Sequence, residues 1–439
     1  MKKYKHDAPK KSREKTKEMQ DTSKQERKRK KKKVVSESEN KEQVVQKKKE
    51  KKQKKQKKRK VFIPIILGGA LLLAVGVIGG GYYLQEQSED SSSKKETAQG
   101  ASTKQVVHSG LTTLEKELAK KLDTELKNEN YVGIAYVRSG SQVILNKGYG
   151  LADNEKGLLN NPTFFYQIGS VQLSMTATLV LQQIQKGALA LDTTLDQFYP
   201  QIDGSDKITI EDMLNMTSGL SRTDSATESL YDTELLDYTV NHLKYTESDY
   251  GSYTYDTVNY TLLVGILERL TGLTYENMFS QSIVTPLNLT QTGFYKDLKD
   301  SSSHAVSYEM SQESDYAKRI TETDAEITNE LGTGNISMTV NDLDDFYTGV
   351  LNGKIVNKDV LATLWKENDD EEPPFTGGVY SGEDAIKFQG TVSNFQTSGW
   401  MTRDTDSTII LASNVETDPK IKLPTDSLRD ELVTILESE

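Results

Sequence analysis

The sequence predicts an α/β domain of the α+β type, with one antiparallel sheet built from both ends of the domain, helices flanking it and a helical lobe inserted between, preceded by one transmembrane helix. Three observations carry this. Two β-rich runs in YVGIAYVRSGSQVILNKGYG flank Arg138-Ser-Gly-Ser, a hairpin signal. Strand-like sequence returns near the C-terminus at DAIKFQGTVSNFQTSGWMTR and STIILASNV, with helical sequence between, so the sheet draws on both ends. Residues 61–84, VFIPIILGGALLLAVGVIGGGYYL, form a run of 24 residues without a charge, long enough to span a hydrocarbon core at about 1.5 Å per residue.

The segments follow in order. Residues 1–60 hold 28 Lys and Arg against 9 Asp and Glu, a formal +19, which leaves −29 for residues 61–439 of a chain whose total is −10. This tail has too few apolar residues to bury a core and is expected to be disordered and cytoplasmic. KKKEKKQKKQKKRK lies immediately before the apolar run, so the positive-inside rule places the N-terminus in the cytoplasm and the C-terminal part outside the cell, in a single pass. No A-x-A cleavage pattern follows, and the apolar run reads as an uncleaved signal anchor. Residues 85–104 are polar and Ser-rich, a flexible stalk, and residues 105–439 form the globular domain. The net −29 of residues 61–439 sits on a chain with no cysteine, which excludes disulfides and thiol chemistry. The lysine-rich, cysteine-free anchored pattern suits a Gram-positive bacterium.

The stretch FYQIGSVQLSMTATLVLQQI, residues 165–184, predicts a helix with Leu173, Ala177, Val180 and Ile184 in one apolar stripe, ending near Gly187. Ser170 stands at its N-terminal end. A serine there is by default an N-cap, whose hydroxyl satisfies an orphan N–H.

Six phrases in order give that serine another meaning: GIAYVRSGSQVILNKGYGLAD, YQIGSVQL, GALALDTTLDQFYP, ITIEDMLNMTSGL, YDTVNYTLLVGILERLTG and PLNLTQTGF, followed by GNISMTVNDLDDFYTGVLNG. From about Tyr131 to Val415 the sequence resembles the serine β-lactamase and penicillin-binding-protein superfamily, in its class C β-lactamase, D-alanyl-D-alanine carboxypeptidase and esterase branch. The resemblance implies the serine β-lactamase/DD-peptidase fold. It also implies a nucleophilic serine, a lysine three residues later as its base, an assisting tyrosine in Y-x-N, and a K-T-G or H-x-G strand edge for the substrate carboxylate.

Position by position, Ser170 matches the nucleophile and Tyr255 the tyrosine, but the lysine is Leu173, the asparagine is Thr257, and Phe388 stands for the Lys or His of the third motif, ahead of Gln389, Gly390 and Thr391. Gln389, Gly390 and Thr391 are expected to line the ligand cleft, with the Thr391 main chain offering an oxyanion donor. Phe388 adds a ring that can plug the cleft. Lys387 should face away from it, because successive strand side chains alternate. After residue 104 no serine has a lysine three positions later.

The sequence therefore suggests an anchored pseudoenzyme that keeps the cleft for a peptidoglycan stem peptide or an envelope protein. Two alternatives stay open: a slow D-Ala peptidase or esterase using Ser170 and Tyr255, or a domain that only spaces the basic tail. That tail suits anionic lipids near the membrane, and no specific nucleic acid is expected. His6, His108, His242 and His304 are scattered without ligand spacing, so neither metal nor other cofactor is expected.

Overall fold

The structure, a computed structural model, describes residues 110–438 apart from Glu371, so the expected tail, membrane helix and stalk lie outside the described residues. Among the described residues no helix is long and apolar enough to cross a membrane.

The first helix, α1 (Thr113–Asn128), begins at a capping box: the Glu115 N–H donates to Thr112 Oγ1 at 3.2 Å and the Thr112 N–H to Glu115 Oε2 at 2.6 Å. Leu118, Leu122 and Leu126 fall on one face and are buried. The hairpin follows as β1 (Gly133–Ser139) and β2 (Gln142–Tyr149), turning at Gly140 with φ +58° where the sequence signalled it.

The inserted lobe contains α2 (Gln172–Gln185), α3 (Val258–Thr271) and α4 (Val340–Leu351). The chain then returns through β3 (Phe375–Thr376), β4 (Val379–Ser381), β5 (Ala385–Val392), β6 (Phe395–Thr402) and β7 (Ser407–Ser413), and ends in α5 (Thr425–Leu436). These strands form one antiparallel sheet in the order β3-β4-β5-β6-β7-β1-β2. The N-terminal hairpin thus completes a sheet begun by the C-terminal strands, as the separated β-rich runs predict.

Alternation along β1 shows how the sheet is covered. Ala135 and Val137 point into a layer with Leu122 of α1 and Leu432 of α5, while Ile134 and Tyr136 point into the core that holds α2 and α3. Each large aliphatic side chain buried this way contributes about 1.5–3 kcal/mol relative to exposure. Arg138 fixes α4 across the sheet: its Nε and Nη2 donate to the two oxygens of Asp344, both at 2.8 Å, and the Tyr136 hydroxyl donates to the same carboxylate at 2.9 Å.

His304 is buried, with Nδ1 against the Ala305 carbonyl at 2.7 Å, Nε2 against the Ser337 hydroxyl at 2.9 Å, and the rings of Tyr295 and Phe395 packed on it. Burial pushes the imidazole down to about 4. A folded-state pKa below the ordinary value means that the unfolded chain takes up the proton first. Stability is therefore complete above about pH 6.5 and declines as the pH falls towards 4, by about 3 kcal/mol from this residue. Urea midpoints at pH 7 and pH 4.5 should show a smaller acid loss in His304→Asn than in the natural protein; equal losses in both would remove the imidazole from the account.

Candidate functional site

Ser170 lies in a single turn of 3-10 helix, Gly169–Val171, that runs directly into α2. The helix begins after Val171 and has no side-chain cap, so the Ser170 hydroxyl is not spent as an N-cap. Gly169 makes the turn possible. Its φ is +53°, and a Cβ there would stand 2.8–3.0 Å from the main chain of Thr391. Gly390 lies as close from the other side, where a Cβ would come within 2.6 Å of the Ser170 nitrogen. Strand β5 is thus laid against the serine turn with main chain on main chain, which places polar backbone groups beside the hydroxyl where an acyl oxygen would sit.

The helix is buried more fully than one apolar stripe requires. Every residue from Gln172 to Gln183 is buried, Ile184 is partly so, and Gly187 takes φ +72° at the C-terminal end as its position predicts.

Tyr255 reaches the serine from the segment before α3, its hydroxyl donating to Ser170 Oγ at 2.5 Å. The resemblance placed these two side chains together, and the fold brings them into contact. The direction of the bond matters, because a base for this serine must accept its proton. Burial of the hydroxyl raises the Tyr255 pKa; the bond to Ser170 lowers it, while the charges of Glu330 and Asp256 and the phenol of Tyr380 raise it further. The phenol is held neutral.

The remaining motif positions are apolar or turned elsewhere. Leu173 is fully buried, at 0 % exposure, one turn after Ser170 at the start of α2, where it lines the cleft. Phe388 is equally buried but does not line the cleft, which corrects the expectation that it plugs it. Its ring stacks on Tyr347, with centroids 3.9 Å apart and planes 18° apart, and lies over Gly399, where a Cβ would meet the ring at 2.0 Å. The reason is the strand period: Ile386, Phe388 and Gly390 face the helical core, and the ring is drawn down into it. Thr257 also lies off the cleft wall, its hydroxyl accepting from Arg222 Nη2 at 3.2 Å. Lys387 points to the opposite face, with its Nζ 2.9 Å from Asp430 on α5.

Gln389, Gly390 and Thr391 line the cleft, a cavity of about 520 Å³ with Ser170 and Leu173 at its base. Sequence reasoning missed the rest of its wall. Phe375 is the hub of an aromatic group, with Tyr380, Tyr253 and Tyr255 at centroid distances of 5.7, 5.8 and 6.2 Å. Asp426, in the first turn of α5, lines the same space. The spacing of Tyr253 and Tyr255 was a weak signal of two side chains on one face. Nothing local joins them to Phe375, which lies more than 100 residues away. No lysine, arginine or histidine lines this cavity.

A family model described as Beta-lactamase matches residues 118–433, well over half of the chain. The chain belongs to the beta-lactamase family. Among its relatives, a Bacillus subtilis (strain 168) protein named as a penicillin-binding protein, PbpX, is 25% identical over 335 residues, covering 74% of this chain and 83% of the relative. A teichoic acid D-alanine hydrolase of Staphylococcus aureus (strain MRSA252) is 27% identical over 253 residues; the match covers 56% of this chain and 61% of that protein, less than two thirds of its length. The solved structure of FmtA from Staphylococcus aureus superposes with a TM-score of 0.65 at 21% identity, covering 78% of this chain and 92% of that one. A class C beta-lactamase superposes at 0.60 with 15% identity, covering 76% and 98%. These likenesses establish the fold of the family around a large antiparallel sheet.

Proposed function

We propose that this chain is a membrane-anchored, extracytoplasmic member of its family that binds at the cleft rather than turning over a substrate there. The observation that carries the reading is Leu173, fully buried where the serine's base would stand, in a cleft wall without one cationic side chain. A serine hydroxyl is a poor nucleophile near neutral pH without a base in reach, and Tyr255, its one titratable contact, is a neutral donor. The uncharged run at 61–84 after a basic tail supports the anchor, and with it the order of tail, membrane segment, stalk and outer domain. A peptidoglycan stem peptide or an envelope protein is the ligand class proposed, with the basic tail on anionic lipids.

The Tyr255–Ser170 hydrogen bond favours a second reading, slow acyl transfer of the D-Ala peptidase or esterase type, because main-chain donors around Ser170 do not depend on the lost side chains. Intact-protein mass spectrometry of the full chain after incubation with a panel of β-lactams and a fluorophosphonate separates the two. No adduct is expected on a folded protein. A stoichiometric adduct that disappears in Ser170→Ala would sink the first reading and establish the second.

A further inference from the structure

Beside the serine cleft lies a second, larger cavity of about 890 Å³, which shares Tyr253, Phe375, Tyr380, Gln389 and Asp426 with it. Neither Ser170 nor Leu173 lines this space. Its volume is that of a small-molecule site, and its charged wall is balanced: Glu211, Glu372 and Asp426 stand with Lys366, Lys387 and Arg429, three of each sign. The cations are already engaged. Lys366 pairs with Glu211 at 3.1 Å, and Lys387 and Arg429 both pair with Asp430 at 2.9 Å. An anion would have to compete with Glu211 and Asp430 for these groups, and a cation would meet three of its own sign in one wall, so the cavity favours a neutral ligand.

The groups left open are aromatic and amide. Tyr253 is 50 % exposed, and its ring centroid lies 5.8 Å from that of Phe375, which has Tyr380 at 5.7 Å on β4. Gln389 is exposed on β5, and its side-chain amide has no hydrogen-bond partner among the described residues. Asn215, the residue after the short helix Ile210–Leu214, lines the same cavity with a buried Oδ1 that has no partner either. Buried acceptors are ordinarily satisfied, so this wall has an unmet place for a donor.

A pyranose with equatorial substituents matches that combination. Its flat faces carry axial C–H bonds, whose small positive charge suits the negative face of an aromatic ring, and its rim carries hydroxyls that both donate to and accept from amides. A peptide would instead need a strand edge to pair with its main chain. The edge strand here, β3, has only two residues and is preceded by Pro373 and Pro374, which have no N–H to give.

We propose that this second cavity is a saccharide site, in which a neutral pyranoside lies on the rings of Tyr253 and Phe375 and is hydrogen-bonded by the amide of Gln389. The site goes beyond the reading of the serine cleft, because neither Ser170 nor Leu173 takes part in it.

The test titrates the full chain in lipid nanodiscs with two neutral disaccharides, cellobiose and N,N′-diacetylchitobiose, with their charged counterparts cellobiouronic acid and chitobiose, and with a blocked, uncharged tripeptide of alanine and proline. Saturation-transfer NMR and calorimetry should show a neutral disaccharide binding at least about fivefold more tightly than either charged counterpart, with an affinity indifferent to salt. Tyr253→Leu should weaken it about five- to tenfold, the size of one aromatic contact, and Gln389→Ala about three- to fivefold, that of one hydrogen bond. Both side chains are exposed, so both variants should keep the melting temperature of the natural protein. Tighter binding of a charged counterpart, preference for the tripeptide, no binding of either neutral disaccharide at millimolar concentration, or an affinity unmoved by both substitutions would each overturn the proposal. A Ser170 adduct in the mass-spectrometric experiment would overturn the non-catalytic reading and leave the saccharide site standing, so the two failures are distinct.

Discussion

Phe388→Ala is expected to lower the unfolding free energy by about 3–5 kcal/mol, the range for removing a buried aromatic side chain and leaving its space partly empty. The ring is fully buried, stacked on Tyr347, and covers the one position on β6, Gly399, that has no side chain of its own. Tyr347 is itself fixed by its hydroxyl, 3.0 Å from Ser174 Oγ on α2, so the vacated space cannot close by a simple ring movement. The same packing predicts a coupled effect. Gly399→Ala puts a methyl into the Phe388 ring and should cost about 1–3 kcal/mol alone, whereas in the Phe388→Ala background the methyl enters empty space and should cost little or restore some stability. Urea unfolding of both single variants and the double variant measures the coupling. A loss below about 1 kcal/mol for Phe388→Ala would show that the ring is not a core element.

The sheet was legible because its signal is local and repeated. Unbroken apolar runs in YVGIAYV and in STIILAS, buried on both faces, with a glycine turn at Gly140, need only neighbouring residues to be read. The pairing of Ser170 with Tyr255 was legible through the resemblance alone, since 85 residues separate them and neither has an unusual neighbour. What escaped the sequence shares one physical cause. The direction of Phe388 depends on what lies beneath β5, and a lysine in that place would have a charged end to keep in a polar cleft, while a phenyl ring gains by turning down onto Tyr347. The residue at this motif position therefore packs into the core and leaves the cleft wall to others. The aromatic wall was equally hidden, because Tyr253, Phe375 and Tyr380 come from separate segments that meet only when β3 and β4 close the edge of the sheet beside α3.

Leu173→Lys should be the second large effect, and it should cost stability without giving activity. The leucine has no exposed surface, so a lysine there exchanges buried hydrocarbon for an amine in a helix turn that carries no acidic side chain. The expected loss is about 3 kcal/mol, with the amine pushed towards its neutral form by desolvation. A neutral amine is the species a serine base requires, yet the substitution alone leaves Thr257 off the cleft wall and Phe388 in the core. The triple variant Leu173→Lys, Thr257→Asn, Phe388→His restores all three side chains of the resemblance together. Any share of positive charge near Tyr255 then opposes the burial and the carboxylates that now raise its pKa, moving the phenol towards a group that accepts rather than donates. Covalent labelling of Ser170 by a β-lactam or fluorophosphonate is expected in the triple variant and not in Leu173→Lys. Labelling in the single variant would mean that the lysine was the sole missing part. Labelling in neither, with both folded, would mean that the aromatic wall around Phe375 has closed the cleft to acylating ligands, and that the family's chemistry was lost in the shape of the site as well as in its base.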